Sequence, residues 1–122
     1  MNLFTDNSFH NNGLDNDTNL QPGLYSTTGN PEDYGKFKTP TLRNWAFTAP
    51  YMHDGRYKTI DQVIDFYSDS VNLNRTTDLL MEFAHQGGAR LSEIEKEALK
   101  AFLLTLNDST ILTNPAYSPP SN

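Results

Sequence analysis

Cysteine is absent from the 122 residues. That excludes disulfides, thiolate zinc sites, iron–sulfur ligation and a cysteine nucleophile. It also excludes a Cys-x-x-Cys-His attachment of haem c to this chain. Apolar residues are scarce, at 36% against roughly 45–50% in an average domain, a range that also counts glycine. Mean hydropathy is −0.63. So little apolar material points to a core completed by a partner domain, a cofactor or a metal. Basic residues are outnumbered 9 to 15 by acidic ones, for a net charge of −6. They form no cluster, which argues against nucleic acid or an anionic membrane as partner. No apolar run approaches the roughly 18 to 20 residues of a membrane span. The opening Met1-Asn2-Leu3-Phe4-Thr5-Asp6 has neither a basic n-region nor an apolar h-region, so no secretory signal is read there.

What is present divides a single domain, 1–122, into three stretches. Residues 1–58 read mostly as loop, rich in Asn, Asp, Gly, Thr and Pro, with turn dipeptides Asn12-Gly13, Pro22-Gly23 and Asn30-Pro31. Their many aromatics argue against disorder, so the stretch is expected to wrap a partner or cofactor. Residues 59–106 read as helical. Thr59 and Gln62 make a capping box ahead of Ile60, Val63, Ile64 and Tyr67, predicting a helix over 60–69 with Tyr67 pointing inward. A weaker helix is expected around 77–84. Ser92 and Glu95 make a second box, and Leu91, Ile94, Leu99, Phe102, Leu103 and Leu106 form an apolar stripe predicting a helix over 93–106. Residues 107–122, with Pro115, Pro119 and Pro120, are expected to be an extended tail.

Few motifs carry chemistry by spacing alone. Asp15-Asn16-Asp17 imitates the start of an EF-hand, but Leu20 and Ser26 stand where the loop needs Gly and a bidentate Glu. His10, His53 and His85 show no metal-binding helical pairing, and composition alone favours structural roles for them. No nucleophile elbow or phosphate-binding glycine loop occurs. The densest segment, Gly35 to Tyr57, interleaves basic and aromatic residues. That suits a flat, apolar, anionic ligand such as haem, or else an irregular core with snorkelling lysines.

Lys36-Phe37-Lys38-Thr39-Pro40-Thr41-Leu42-Arg43-Asn44, then Thr48-Ala49-Pro50-Tyr51-Met52-His53-Asp54-Gly55-Arg56-Tyr57, then Val63-Ile64-Asp65-Phe66-Tyr67 closely resembles the bacterial di-haem cytochrome c peroxidases and their methylamine-utilisation relatives. Leu3-Phe4-Thr5-Asp6 and Phe9-His10-Asn11-Asn12-Gly13-Leu14 resemble the stretch following the second haem-attachment motif. The resemblance implies an all-α, cytochrome c-like C-terminal haem domain with a long irregular N-terminal half, lacking its first, haem-attachment helix. It implies haem c in the intact parent and Tyr67 as distal iron ligand, the position occupied by Met or Tyr in the family. Met52, the tempting thioether, lies in the loop before that helix. Arg43 and Lys38 become candidate partners of the haem propionates. His53, Trp45 and Tyr51 become candidates for the haem-side surface. The backbone carbonyls of Thr48 and Pro50 align with calcium ligands. The implied partners are the missing N-terminal haem domain and a small electron-donor protein, and the implied compartment is the periplasm. An open apolar face lined by Trp45, Phe47, Tyr51, Val63, Ile64 and Tyr67 is expected, and with it self-association, for instance as a homodimer. The rival reading is a haem-free helical interaction module that has lost catalysis.

Overall fold

The computed structural model describes residues 3–117. In chain order the elements are β1 (Phe9–His10), α1 (Tyr25–Thr28), β2 (Phe37–Lys38), α2 (Ile60–Asp69), α3 (Glu93–Leu104) and α4 (Thr110–Thr113). Single 3-10 turns occur at Pro31–Asp33, Trp45–Phe47, Ala84–Gln86 and Pro115–Tyr117. Helix amounts to about 35% of the chain, and β1 and β2 form a two-stranded antiparallel sheet. The all-α expectation is therefore overturned. Strands of two residues are too short to leave an alternating pattern in the sequence, and the first half gains its order from elsewhere.

That order is largely polar. In the β1–β2 ladder Phe9 faces Lys38 and His10 faces Phe37. Beyond it, the Thr39 amide donates to the Ser8 carbonyl (2.9 Å) and the Thr5 hydroxyl to the Thr39 carbonyl (2.8 Å). Asn11, only 2% exposed, donates to Asn74 Oδ1 and Thr76 Oγ1, both at 2.9 Å, and accepts from the Gly13 amide. Asn74 in turn donates to the Asp15 carbonyl at 2.8 Å. Buried polar groups are costly unless paired, and these are paired. Gly13 is required where it stands: its φ is +71°, and a Cβ would lie 2.4 Å from the Asn72 carbonyl oxygen.

α2 begins as its capping box dictates. The Thr59 hydroxyl accepts from the Gln62 amide, and the Gln62 carboxamide oxygen accepts from the Thr59 amide. α3 begins the same way at Ser92 and Glu95. It closes at Leu104, two residues before the expected end, with Leu106 still in the core. α2 stands between two apolar clusters. Phe66 belongs to one, with Leu14, Val71 and Ala84. Ile64 belongs to the other, with Leu103 and Leu106, against which Trp45, Ile60 and Leu91 pack. Lys96 to Asp65 (2.8 Å) and Lys100 to Asp61 (2.7 Å) tie the outer faces of α2 and α3 together.

Other expectations are corrected. No helix forms over 77–84: Asp78 Oδ1 accepts from the Leu80 amide, a local turn that competes with helix, and only Ala84–Gln86 closes as a 3-10 turn. Of the predicted α3 stripe, Ile94 (79% exposed) and Phe102 (50%) face outward. The expected extended tail carries α4 and a 3-10 turn; residues 118–122 lie outside those described.

Candidate functional site

Tyr67 occupies the last turn of α2, a place fixed by the chain's return after Gln86. The Ala89 amide donates to the Tyr67 carbonyl (3.0 Å) and the Arg90 amide to the Ser68 carbonyl (2.8 Å). Buried Ser68 Oγ accepts from the Leu91 amide at 3.0 Å. Gly88 permits this approach, since a Cβ there would lie 2.3 Å from the Ser68 carbonyl oxygen. The result is an apolar cavity of about 190 Å³ lined by Tyr67, Val71, Leu80, Met81, Phe83 and Ala84, among others.

Tyr67 as a residue is 36% exposed, so it sits at the rim instead of in the core. Its hydroxyl accepts from the Asn12 amide at 2.9 Å, and the same amide nitrogen lies 3.8 Å from Met52 Sδ. The phenol oxygen and the thioether sulfur thus converge on one side chain. Burial pushes the Tyr67 phenol above its ordinary pKa, and the Asn12 hydrogen bond opposes that push. Met52 holds φ +71° and packs against the Phe66 cluster.

One wall of the cavity is pinned from outside. His10 is held by two carboxylates, Nδ1 on Asp78 at 2.5 Å and Nε2 on Asp6 at 2.7 Å. Asp78 opens the turn that carries Leu80 and Met81. The Asp78 hydrogen bond, then that of Asp6, raises the His10 pKa. On the other side of the loop, Arg56 clamps Asp15 (2.8 Å) and Asp54 (2.6 Å).

The remaining predicted residues are dispersed, and none of them lines this cavity. Lys38 Nζ contacts Asn7 Oδ1 (3.1 Å) and the Thr39 carbonyl (3.4 Å). The Arg43 guanidinium lies 5.5 Å from the centre of the Phe4 ring. His53 stacks on Phe37 at 3.7 Å. The Trp45 indole donates to the Leu103 carbonyl at 2.7 Å and so joins the α2–α3 core. The Tyr51 hydroxyl donates to the Trp45 carbonyl at 3.0 Å, and burial raises its pKa. Ile64, expected on an open face, is only 4% exposed. The carbonyls of Thr48 and Pro50 accept no hydrogen bond among the described residues. Among those residues no three His, Cys, Asp or Glu side chains group to hold a metal, so a calcium ion here would rest on carbonyl and water oxygens. Sequence reasoning missed Asn12, whose only visible signal was a turn before Gly13.

Comparison with known proteins gives this geometry a context. No family model matches the chain. Cytochrome-c peroxidase IdrP1 of Pseudomonas sp. (strain SCT) is 38% identical over 91 residues, covering 75% of this chain and 23% of that protein. Methylamine utilization protein MauG of Methylorubrum extorquens is 34% identical over 103 residues, covering 84% and 28%. The crystal structure of a MauG-like protein associated with microbial copper homeostasis superposes with a TM-score of 0.78 and 37% identity, covering 93% of this chain and 36% of that one. The chain belongs to the di-haem cytochrome c peroxidase and MauG family. It spans about a quarter of the length of the cytochrome-c peroxidases it matches, consistent with a C-terminal part of such a protein. Membership associates it with haem c, although its own residues include no attachment motif.

Proposed function

We propose that the chain is the C-terminal, electron-transfer haem domain of a di-haem peroxidase-like oxidoreductase, with Tyr67 as distal iron ligand. The observation that carries this is the Tyr67 hydroxyl, an oxygen donor at the rim of a cavity whose lining is otherwise chiefly apolar. A phenol oxygen is an iron donor and would serve one face of a porphyrin lying against this rim. The opposite, covalent side is not supplied by these residues, which include no cysteine. When bound, haem supplies one-electron iron chemistry. An anionic phenolate favours the higher oxidation states, whereas a thioether favours Fe(II). Tyr67 therefore suits peroxide-dependent oxidation of an organic or protein substrate as well as peroxide reduction. Asn12 holds the phenol oxygen, Leu80, Met81 and Phe83 line that side, and Arg43 and Lys38 are the cations assigned to the propionates. Thr48 and Pro50 carbonyls are assigned to a calcium ion shared with the N-terminal haem domain. The intact protein is assigned to the periplasm, where haem c is attached, with a small protein as electron donor.

In protein matured with haem c, Tyr67→Phe should abolish the ferric phenolate charge-transfer band and raise the reduction potential, while Met52→Leu leaves the spectrum unchanged. A spectrum that follows Met52 and ignores Tyr67 would refute the ligand assignment. A full-length protein without a Soret band after expression in a host that matures cytochromes c would refute this reading and support a haem-free interaction module instead.

A further inference from the structure

The Asn12 side chain serves two acceptors with one nitrogen. Its amide donates to the Tyr67 hydroxyl at 2.9 Å and faces Met52 Sδ at 3.8 Å. A carboxamide nitrogen carries two hydrogens, so both contacts are made at once. They are unequal, because a thioether is a weak acceptor. The backbone holds Met52 in place for its contact. Its φ of +71° is a left-handed conformation that residues other than glycine seldom adopt. Its carbonyl accepts from the Gly55 amide at 3.2 Å, and the Tyr51–Tyr57 bridge closes the loop around it. The side chain is half-buried against the Phe66 cluster. Among the described residues its sulfur is the one that accepts a hydrogen bond. Met81 lies instead with Leu80, Phe83 and Ala84 on the apolar cavity wall.

An oxygen added to the Met52 sulfur would meet the Asn12 amide. With an S–O bond of about 1.5 Å and an angle of about 120° at the oxygen, the 3.8 Å separation puts that oxygen about 2.8 Å from Asn12 Nδ2, inside the N–H···O range. We infer that Met52 is an oxidation site whose product the fold accommodates: hydrogen peroxide converts the thioether to the sulfoxide, and Asn12 holds the new oxygen. The sulfur lone pair attacks one peroxide oxygen, the O–O bond breaks and an S–O bond forms. Sulfur loses two electrons; the second peroxide oxygen gains them and leaves as water with both hydrogens. A methionine sulfoxide ordinarily disrupts the apolar cluster it packs in. Here the second Asn12 hydrogen receives the oxygen while the first stays on Tyr67, so the loop and the Tyr67 contact survive. Met52 thereby consumes peroxide beside Tyr67 with little loss of stability. This inference needs no haem and stands or falls apart from the function proposed above.

The test couples oxidation to Asn12 in the whole chain. Met81→Leu provides the background, which leaves Met1 and Met52 as the sulfurs. Folded protein is treated with hydrogen peroxide, and peptide mapping should find one added oxygen on Met52. Met52 left reduced while Met1 is oxidised would overturn the proposal. Urea titrations then compare reduced and oxidised protein carrying Asn12, Asn12→Ala or Asn12→Asp. The last keeps the size of the side chain and replaces the donor by an acceptor. Met1 is oxidised alike in all three and cancels. Oxidation should lower the folded-to-unfolded ratio by less than about threefold with Asn12 and by about tenfold or more with either variant, the weight of one hydrogen bond left unmade. Equal losses with and without the Asn12 donor would refute the assignment. Proton resonances of the Asn12 side-chain amide give a reading that needs no Asn12 variant. On oxidation one of the two should move downfield while the other, bonded to Tyr67, holds still. If neither moves, the sulfoxide is not held by Asn12 and the proposal fails.

Discussion

The clamp on His10 makes stability depend on pH in a defined direction. A neutral imidazole donates from one nitrogen only, so carboxylates at 2.5 and 2.7 Å on both nitrogens call for the imidazolium. The His10 pKa is raised, by Asp78 first and Asp6 second. Its contribution is therefore fully present below the unfolded value, about 6.5, and is lost as pH rises through the higher folded value. Asp78 is lowered although burial pushes it up, because its His10 and Leu80 hydrogen bonds and nearby Lys36 outweigh that push. The Ser8 amide, then His10, lowers Asp6. The carboxylate contributions are present above their unfolded values and are lost as pH falls through the lower folded ones. Asp78→Asn removes the charge yet keeps an oxygen for the Leu80 amide. A hydrogen bond to a charged partner at this partly buried position is worth roughly 1.5–3 kcal/mol. Urea titrations should show Asp78→Asn destabilised by about that amount near pH 6 and by much less at alkaline pH, where the wild type has already lost the interaction. A difference independent of pH would refute the clamp.

The other predictions follow from burial and close approach. Ser68→Ala leaves the Leu91 amide without its acceptor in a fully buried position and should cost about 1–3 kcal/mol in the same titrations. Phe66→Ala opens a cavity at a site 2% exposed and should cost about 3–5 kcal/mol. Gly88→Ala meets the Ser68 carbonyl; hydrogen exchange of the Ala89 and Arg90 amides should speed up in that variant while the β1–β2 amides stay protected. Leu79 and Leu80, 95% and 75% exposed, should make the chain self-associate, and Leu80→Glu should return it to monomer in sedimentation equilibrium.

What the sequence showed was local. Both capping boxes were legible because Thr59 with Gln62 and Ser92 with Glu95 act within one turn. The first half was not, because its order comes from partners far along the chain, such as Asn11 with Asn74 and Thr76, and hydrogen bonds between distant polar side chains leave no period. The α3 stripe was overread: Leu103 and Leu106 reach the core, while Ile94 stays 79% exposed and Phe102, edge-on to Phe4, stays half-exposed at the same spacing. At the candidate site, position and resemblance singled out Tyr67. Its lining from the 80s segment, and Asn12 beside its hydroxyl, depend on turns that composition marks only as irregular.

The placement of α2 between two clusters also says which kind of change it can absorb. Ile64 and Phe66 face opposite sides of one helix and anchor different cores. A substitution on either side is a local loss. One inserted residue between Ile60 and Ile64 would turn the rest of the helix by about 100°, withdrawing Ile64 and Phe66 from both cores at once and swinging the Tyr67 ring away from Asn12. The register of α2, more than the identity of most of its residues, is what the architecture holds fixed.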